Sequence, residues 1–413
     1  MNILLCWELG GGSGHLEVPG DLAGRFLNSG HSVTLAARDV TSAARYTTTA
    51  NLDIVQAPVA ELNIERTAAV GYAEVLLRCG FRKPEGLQAL VNAWKRLFEL
   101  LQTDLIVVDH SPAAIIAARC AEISVAVTGS AFIVPPALTP LPPFIREQKG
   151  AKEATRRTEA IAVASINSVL LSASAKPIES LADLFGHEDV FLTTYPELDS
   201  YGERSNTHYW GTPNQLTTGS SPEWPRGKGE PVFVYMHADY PQFPVMVRQL
   251  GKLGHPTLIV APGAPADINQ QHGFSNIVVT KRHVNIDEVA GQCRVIIMHG
   301  GHGSVARVLR CGVAPIITPL FVEQLMLAKQ LATTSLAFAA HPDPARHNYK
   351  EMVQAALEND AIHRNAAEFS DRHPLSECDA EFELLATTLV NSATQCSAQD
   401  NDRRNQHEDH EPS

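Results

Sequence analysis

Two glycine-rich turns, each entered from a short apolar run and left through a helical pattern, constrain this chain more than any other feature. Ile3 to Cys6 are apolar without a break, Gly10 to His15 read G-G-G-S-G-H, and Leu22, Phe26 and Leu27 follow at helical spacing up to Gly30. A run that is apolar at every position fits a strand buried on both faces of a parallel sheet. Gly30 is a natural helix stop, and His31 to Ala36 then read as a second strand. The pattern returns far downstream. Val295 to Met298 run into His299 to Ser304 (H-G-G-H-G-S), Val305, Val308 and Leu309 give an apolar helical stripe, and Gly312 precedes a strand over Val313 to Thr318.

The stretches between keep the alternation. Leu87, Leu90, Val91, Trp94, Leu97, Phe98 and Leu101 mark one helical face, and Asp104 to Asp109 read as a strand ending in a carboxylate. A short helix over Pro112 to Ala121 and a strand over Ile123 to Val127 follow. Prolines 135, 136, 140, 142 and 143 exclude regular structure there. That segment is either a loop beside a site or a rigid connection. Residues 202–230, rich in Gly, Ser, Thr, Asn and Pro, read as the domain boundary. Strands are then expected at Pro231 to Met236, Thr257 to Ala261 and Asn276 to Thr280, with a helix around Val245 to Leu253. Leu384, Leu385 and Leu389 predict a last helix, and the polar stretch 397–413 a disordered tail.

Composition removes several function classes. With 33 basic against 45 acidic residues the net charge is −12, a poor match to phosphate-backbone binding or to a polybasic membrane anchor. Seven scattered cysteines, an odd number with no C-x-x-C pair, argue against a disulfide framework or zinc ribbon and for a reducing, cytoplasmic setting. No apolar run reaches the ~18–20 residues of a membrane span, and no signal peptide is legible at the N-terminus.

In open α/β sheets ligands bind beyond the carboxyl ends of the strands, where both glycine turns fall. Backbone amides freed by glycine, together with the N-terminal end of the next helix, suit an anion. The bland alternative, that each glycine only permits a tight turn, is weakened by finding two such turns, each with a histidine. The first is not a dinucleotide fingerprint, because His15 stands where the third glycine belongs and the second strand leads to Arg38 rather than an acid. No G-K-[ST] follows, so it is not a P-loop. No metal, haem or flavin pattern is present.

These residues resemble the UDP-glycosyltransferase superfamily, family 1 of the glycosyltransferases, with some likeness in the opening loop to the family 28 peptidoglycan N-acetylglucosaminyltransferases. Gly14-His15-Leu16 with Pro19, and Gly30-His31, are similar to the family's opening loop, helix and second strand. His299-Gly300-Gly301, Gly303-Ser304, Gly312-Val313, Pro315, Pro319 and Glu323-Gln324 are similar to its donor-binding signature in order and spacing. The resemblance implies a GT-B fold: two Rossmann-like parallel-sheet α/β domains facing a cleft. It implies an acceptor-binding domain at 1–212, a linker at 213–230 and a nucleotide-sugar domain at 231–377. A helix at 378–396 would pack back on the first domain, ahead of the tail at 397–413.

The resemblance also assigns roles. His15 is the expected base, since an imidazole with pKa near ~6.5 suits proton abstraction at neutral pH. Asp109 is its expected carboxylate partner; Asp104 is the weaker choice, at the wrong end of its strand. Gly12, Ser13 and Gly14 would touch the donor. His299, Gly300, Gly301, Gly303 and Ser304 would hold the diphosphate. Glu323 and Gln324 would read sugar hydroxyls, His283 would stack on the base, and Val284 would offer it backbone. Three positions depart from the pattern. Arg307 replaces a glutamate that holds the ribose in relatives, His237-Ala238 replace Gly-Ser, and Arg294 replaces an aspartate. Arg307 either pairs with a phosphate or faces solvent.

The expected activity is an inverting, metal-independent hexosyl transfer from a UDP-type sugar to a hydroxyl of a small, apolar or lipid-like acceptor. No cofactor is expected beyond the nucleotide sugar as co-substrate. The expected partners are that donor and the acceptor, not nucleic acid, with peripheral membrane contact left open. Residues 61–85 and 130–150, with Leu76, Leu77, Phe81, Phe132, Ile133 and Phe144, are the candidates for the acceptor pocket. The alternatives are a non-catalytic nucleotide-sugar or glycan-binding protein and a sugar-nucleotide epimerase on the same fold. A nucleotide-dependent reductase is weaker for want of G-x-G-x-x-G.

Overall fold

A computed structural model of the chain describes residues 1–408 apart from 48, 50, 61–67, 186–189, 206 and 215–218. The described residues form two compact units. Strands β1 (Asn2–Trp7), β2 (Ser32–Ala37), β3 (Asp53–Gln56), β4 (Leu105–Asp109), β5 (Ser124–Gly129) and β6 (Val190–Leu192) build the first sheet. Strands β7 (Val232–Tyr235), β8 (Thr257–Val260), β9 (Ile277–Thr280), β10 (Val295–Met298), β11 (Pro315–Ile317) and β12 (Phe338–Ala339) build the second.

The strand orders are β3-β2-β1-β4-β5-β6 and β12-β11-β10-β7-β8-β9, with every paired strand parallel. Read from the other edge, the second is the first order repeated. Each is the doubly wound arrangement, whose chain reverses direction of growth beside its first strand. That point lies between β1 and β4 in the first unit and between β7 and β10 in the second. The apolar runs behave as their composition demands: β4 and β10 are buried at every residue, as strands covered by helices on both faces must be.

Helices close the layers for legible reasons. The helix over Glu17–Asn28 buries Val18, Leu22, Ala23 and Phe26 on one stripe. The helix over Pro84–Leu101 starts with proline at its first turn, buries Leu87, Val91, Trp94 and Phe98, and stops at Gln102 in the left-handed region.

The first unit holds residues 1–195, 204–213 and 378–413, and the second holds 196–203 and 214–377. The short excursion 196–203, expected within the first domain, groups with the second. Glu197 explains it, because it accepts hydrogen bonds from Arg372 (2.9 Å) and His373 (3.3 Å). The final helix, Cys378–Glu408, places Phe382, Leu385, Ala386, Leu389 and Ala393 in the core that β1 and Trp7 share. Arg25 ties it to the Glu17–Asn28 helix through Glu383 (3.0 Å) and also pairs with Asp21 (2.6 Å). Its backbone continues to Glu408, through part of the stretch expected as a disordered tail, and 409–413 lie outside the described residues.

Candidate active site

In the first unit the site grows from the paired ends of β1 and β4. Register sets Trp7 beside Asp109. The chain then leaves β1 through Glu8 and Leu9 into the glycines and returns as a single 3-10 turn, Ser13–Leu16, that carries His15. The His15 Nδ1–H donates to Asp109 Oδ1 at 2.7 Å. A carboxylate only accepts, so this bond fixes the proton on Nδ1 and leaves the Nε2 lone pair in the neutral ring. Trp7 stacks on the imidazole with ring centroids 5.7 Å apart.

Gly10 shapes the other edge of that ring. A Cβ built at Gly10 would lie 2.2 Å from His15 Nε2, and the backbone φ of +85° is itself one that side chains rarely adopt. Gly12, at φ +91°, turns the chain into the 3-10 turn, and Gly14 is exposed beside it. Glu17, two residues beyond His15, is drawn into the same field. Burial first, then the Asp109 charge, push its carboxyl up to about 7, against the pull of His15.

His110 is a residue that the sequence gives no signal for. It follows Asp109 with φ +50°, it is buried, and neither ring nitrogen has a hydrogen-bond partner among the described residues. Its ring lies 5.7 Å from that of His15 and 5.8 Å from that of Tyr72. Burial, with smaller contributions from His15 and Arg38, holds its imidazole well below the usual range. Leu76, Leu77, Phe81, Phe132, Ile133 and Phe144 are all buried, so these side chains pack the interior rather than present an apolar surface. Residues 61–67 of the first candidate acceptor loop lie outside the described residues.

In the second unit the corresponding strand ends are those of β7 and β10. His299 follows β10, and its Nδ1–H donates to the Thr318 carbonyl at 3.0 Å, just beyond the end of β11. Its Nε2 is buried without a hydrogen-bond partner among the described residues. Burial lowers the His299 pKa, the Thr318 carbonyl and Asp239 oppose that, and His237 adds to it. Gly300 has φ +98°, and a Cβ there would meet Ile317 Cγ2 at 2.5 Å, so only glycine fits between β10 and β11. Gly301 caps the helix His302–Arg310 without a side-chain hydrogen bond, and Gly303 and Ser304 lie in its first turn. The first amides of such a helix have no partner within it and suit an anion. Burial takes the His302 pKa down to about 4, so that ring is neutral there.

Glu323 and Gln324 open the next helix, Val322–Thr333, and Gln324 Cβ lies 3.7 Å from where a Gly300 Cβ would stand. The structure thus brings Gln324 to the glycine turn. Its side-chain oxygen accepts from the Leu320 and Phe321 amides at 2.8 and 3.2 Å, so the residue also closes the loop before its own helix. His283 is exposed. Ser220 N–H donates to the His283 carbonyl and Asn285 N–H to the Ser220 carbonyl, each at 3.0 Å. That pairing turns the amide and carbonyl of Val284 to the opposite edge.

Arg307 does not face solvent. Its guanidinium pairs with both carboxylate oxygens of Asp287, with Nε to Oδ1 at 2.7 Å, and donates to Asn214 Oδ1 at 2.5 Å. It therefore ties the segment after Val284 to the glycine-turn helix. Arg294 is half exposed, 3.7 Å from Asp360.

No protein-family model and no curated protein sequence matches the chain. Solved structures do. The glycosyltransferase of kitacinnamycin is 15% identical, covering 95% of this chain and 98% of that one, with a TM-score of 0.68. CalG4, the calicheamicin glycosyltransferase, is 16% identical over 96% and 97%, with a TM-score of 0.65. The spinosyn rhamnosyltransferase SpnG is 15% identical over 95% and 100%, with a TM-score of 0.63, and has also been solved with thymidine diphosphate and with spinosyn aglycone. Two parallel α/β sheets of one strand order, matched over nearly the full length of these chains, give this protein the GT-B fold.

Proposed function

We propose that the protein is an inverting, metal-independent glycosyltransferase acting on a nucleotide-diphosphate sugar and a hydroxyl of a small apolar acceptor. The observation that carries this reading is the 2.7 Å hydrogen bond between His15 and Asp109 at the crossover of the first sheet. Neutral His15 takes the acceptor's proton on Nε2 as the hydroxyl oxygen attacks the anomeric carbon. Asp109 stabilises the imidazolium that forms. The bond from the anomeric carbon to the diphosphate breaks on the opposite side, so the configuration inverts.

The leaving diphosphate gathers negative charge. His299 and the first-turn amides of the His302–Arg310 helix are the groups that answer it. Glu323 and Gln324 read the sugar, and His283 with the Val284 backbone reads the base. Uracil and thymine present the same edge to such a reader, and SpnG is a thymidine diphosphate binder of this fold. We therefore extend the donor from uridine to thymidine diphosphate sugars. The acceptor is a small apolar molecule; SpnG, of the same fold, has been solved with spinosyn aglycone. No helix among the described residues is long and apolar enough to cross a membrane. Cys6, Cys79, Cys120, Cys293 and Cys311 are thiols rather than disulfides, and we place the reaction in a reducing, cytoplasmic setting.

The test is mass spectrometry of products formed from a panel of UDP- and TDP-sugars with an extract of aglycones. A hexosylated product is expected. His15→Ala should lower its rate by about 10²–10⁴-fold with nucleotide-diphosphate affinity intact. Near-normal turnover in that variant would remove His15 as the base. Tight nucleotide binding with no product from any donor would favour a binding protein instead.

A further inference from the structure

The loop that follows β7 delivers a tyrosine to the same sheet crossover at which β10 delivers His299. Tyr240 is 3% exposed, and its ring meets the His299 imidazole edge-on, with centroids 5.1 Å apart. Its hydroxyl is not idle. Tyr349 O–H donates to Tyr240 Oη at 3.3 Å, Tyr240 O–H donates to His347 Nδ1 at 3.2 Å, and His347 Nε2–H donates to the His341 carbonyl at 2.7 Å. A carbonyl can only accept, so it leaves Nδ1 as the acceptor for tyrosine, and Tyr349 Oη also lies 3.3 Å from that nitrogen. Tyr349 and His347 are buried as well. A buried polar cluster whose members are all paired with one another rigidifies what it touches.

We propose that Tyr240 is a positioning residue for His299, anchored by the His347–Tyr349 pair so that the imidazole keeps Nδ1 on the Thr318 carbonyl and Nε2 toward a bound diphosphate. This rests on the reading of His299 as the diphosphate ligand. The His299 ring has two holds: a hydrogen bond in its plane to Thr318 and the Tyr240 ring across it. Removing the second lets the ring swing about the first, and an anion at Nε2 loses its aim. The ionisable groups that bear on the ring are His237 and Asp239 on the Tyr240 loop, and Tyr240 itself, whose hydroxyl is held by His347 and Tyr349. Burial raises both tyrosines above their usual range, so both hydroxyls keep their protons.

The experiment is isothermal titration calorimetry of the full chain with UDP and with TDP, combined in a double-mutant cycle. Tyr240→Leu is expected to weaken binding about tenfold, and Tyr240→Phe, which keeps the ring and loses its anchor, about threefold. In a His299→Ala background neither change should weaken binding further. A purely structural tyrosine would lower the melting temperature without this dependence on His299. Equal weakening in both backgrounds, or no weakening in either, would overturn the proposal. Should Tyr240→Leu fail to fold, the Tyr240→Phe cycle decides by the same criterion. If neither nucleotide binds the wild-type protein, the reading of the site falls, and this inference with it. If both bind and His299→Ala changes nothing, only the role of His299 and its tyrosine falls.

Discussion

Gly10 and His299 show how much a single position decides. At Gly10 the α-carbon lies against the Nε2 edge of His15, and a methyl group there would overlap the ring nitrogen at 2.2 Å. Gly10→Ala should therefore push the imidazole off Asp109 or close the approach to Nε2. Turnover is expected to fall by about 100-fold or more, with nucleotide affinity unchanged in a parallel calorimetric titration. At His299 the carbonyl of Thr318 holds the only proton of the neutral ring on Nδ1. Nε2 can then donate to a phosphate only as an imidazolium. Burial lowers the pKa of the free ring, so the ring is neutral at pH 7 and binding takes up a proton. The sign follows: affinity for TDP should rise as pH falls toward the free-ring pKa, by up to about tenfold per pH unit. His299→Gln should remove that dependence, leaving only the titration of the phosphate. Equal slopes in wild type and variant would show that His299 does not meet the anion.

At the scale of elements, the end of β1 carries a buried acid that helps to build the sheet crossover. Glu8 is fully buried, and its Oε2 accepts the Ala113 amide at 3.0 Å, in the first turn of the helix over Pro112–Ala121. Desolvation pushes its carboxyl up to about 8, against that hydrogen bond and the charge of Arg38. A raised folded pKa means that stability is fully present below the unfolded value of 4.5 and is lost as pH rises through 8. The loss over that window is on the order of 5 kcal/mol. Glu8→Gln should flatten the melting temperature between pH 5 and 8, and a variant that tracks the wild type across that range would contradict it. What could be read beforehand followed the same scale. Runs such as Ile3 to Cys6 and Val295 to Met298 announce buried strands because every residue agrees. The glycine turns were legible because strand polarity places them at strand ends, and the pairing of His15 with Asp109 was legible through the family resemblance. Arg307 with Asp287, Gln324 on its own loop, His110 and the Tyr240 chain were not legible. Each depends on which distant side chain arrives beside it, and no local pattern encodes that.

For the molecule as a whole, the last helix matters most. Phe382, Leu385 and Leu389 are buried in the core that contains Trp7, the ring stacked on His15. Phe382→Ala should cost about 3–5 kcal/mol, enough to rival the ~5–15 kcal/mol that holds a domain together. Hydrogen exchange should show the loss in β1 and not in β7; equal loss in both sheets would mean that the helix does not belong to the first unit alone. The boundary at 196–203 carries the same lesson, because two hydrogen bonds to Glu197 from Arg372 and His373 reassign a stretch that sequence order puts elsewhere. There is a consequence for biogenesis. On the ribosome the residues of the first sheet emerge first, yet their core lacks a wall until the closing helix has left the exit tunnel. The second unit, whose residues all precede that helix, is complete sooner, so the nascent chain finishes the second unit before the first.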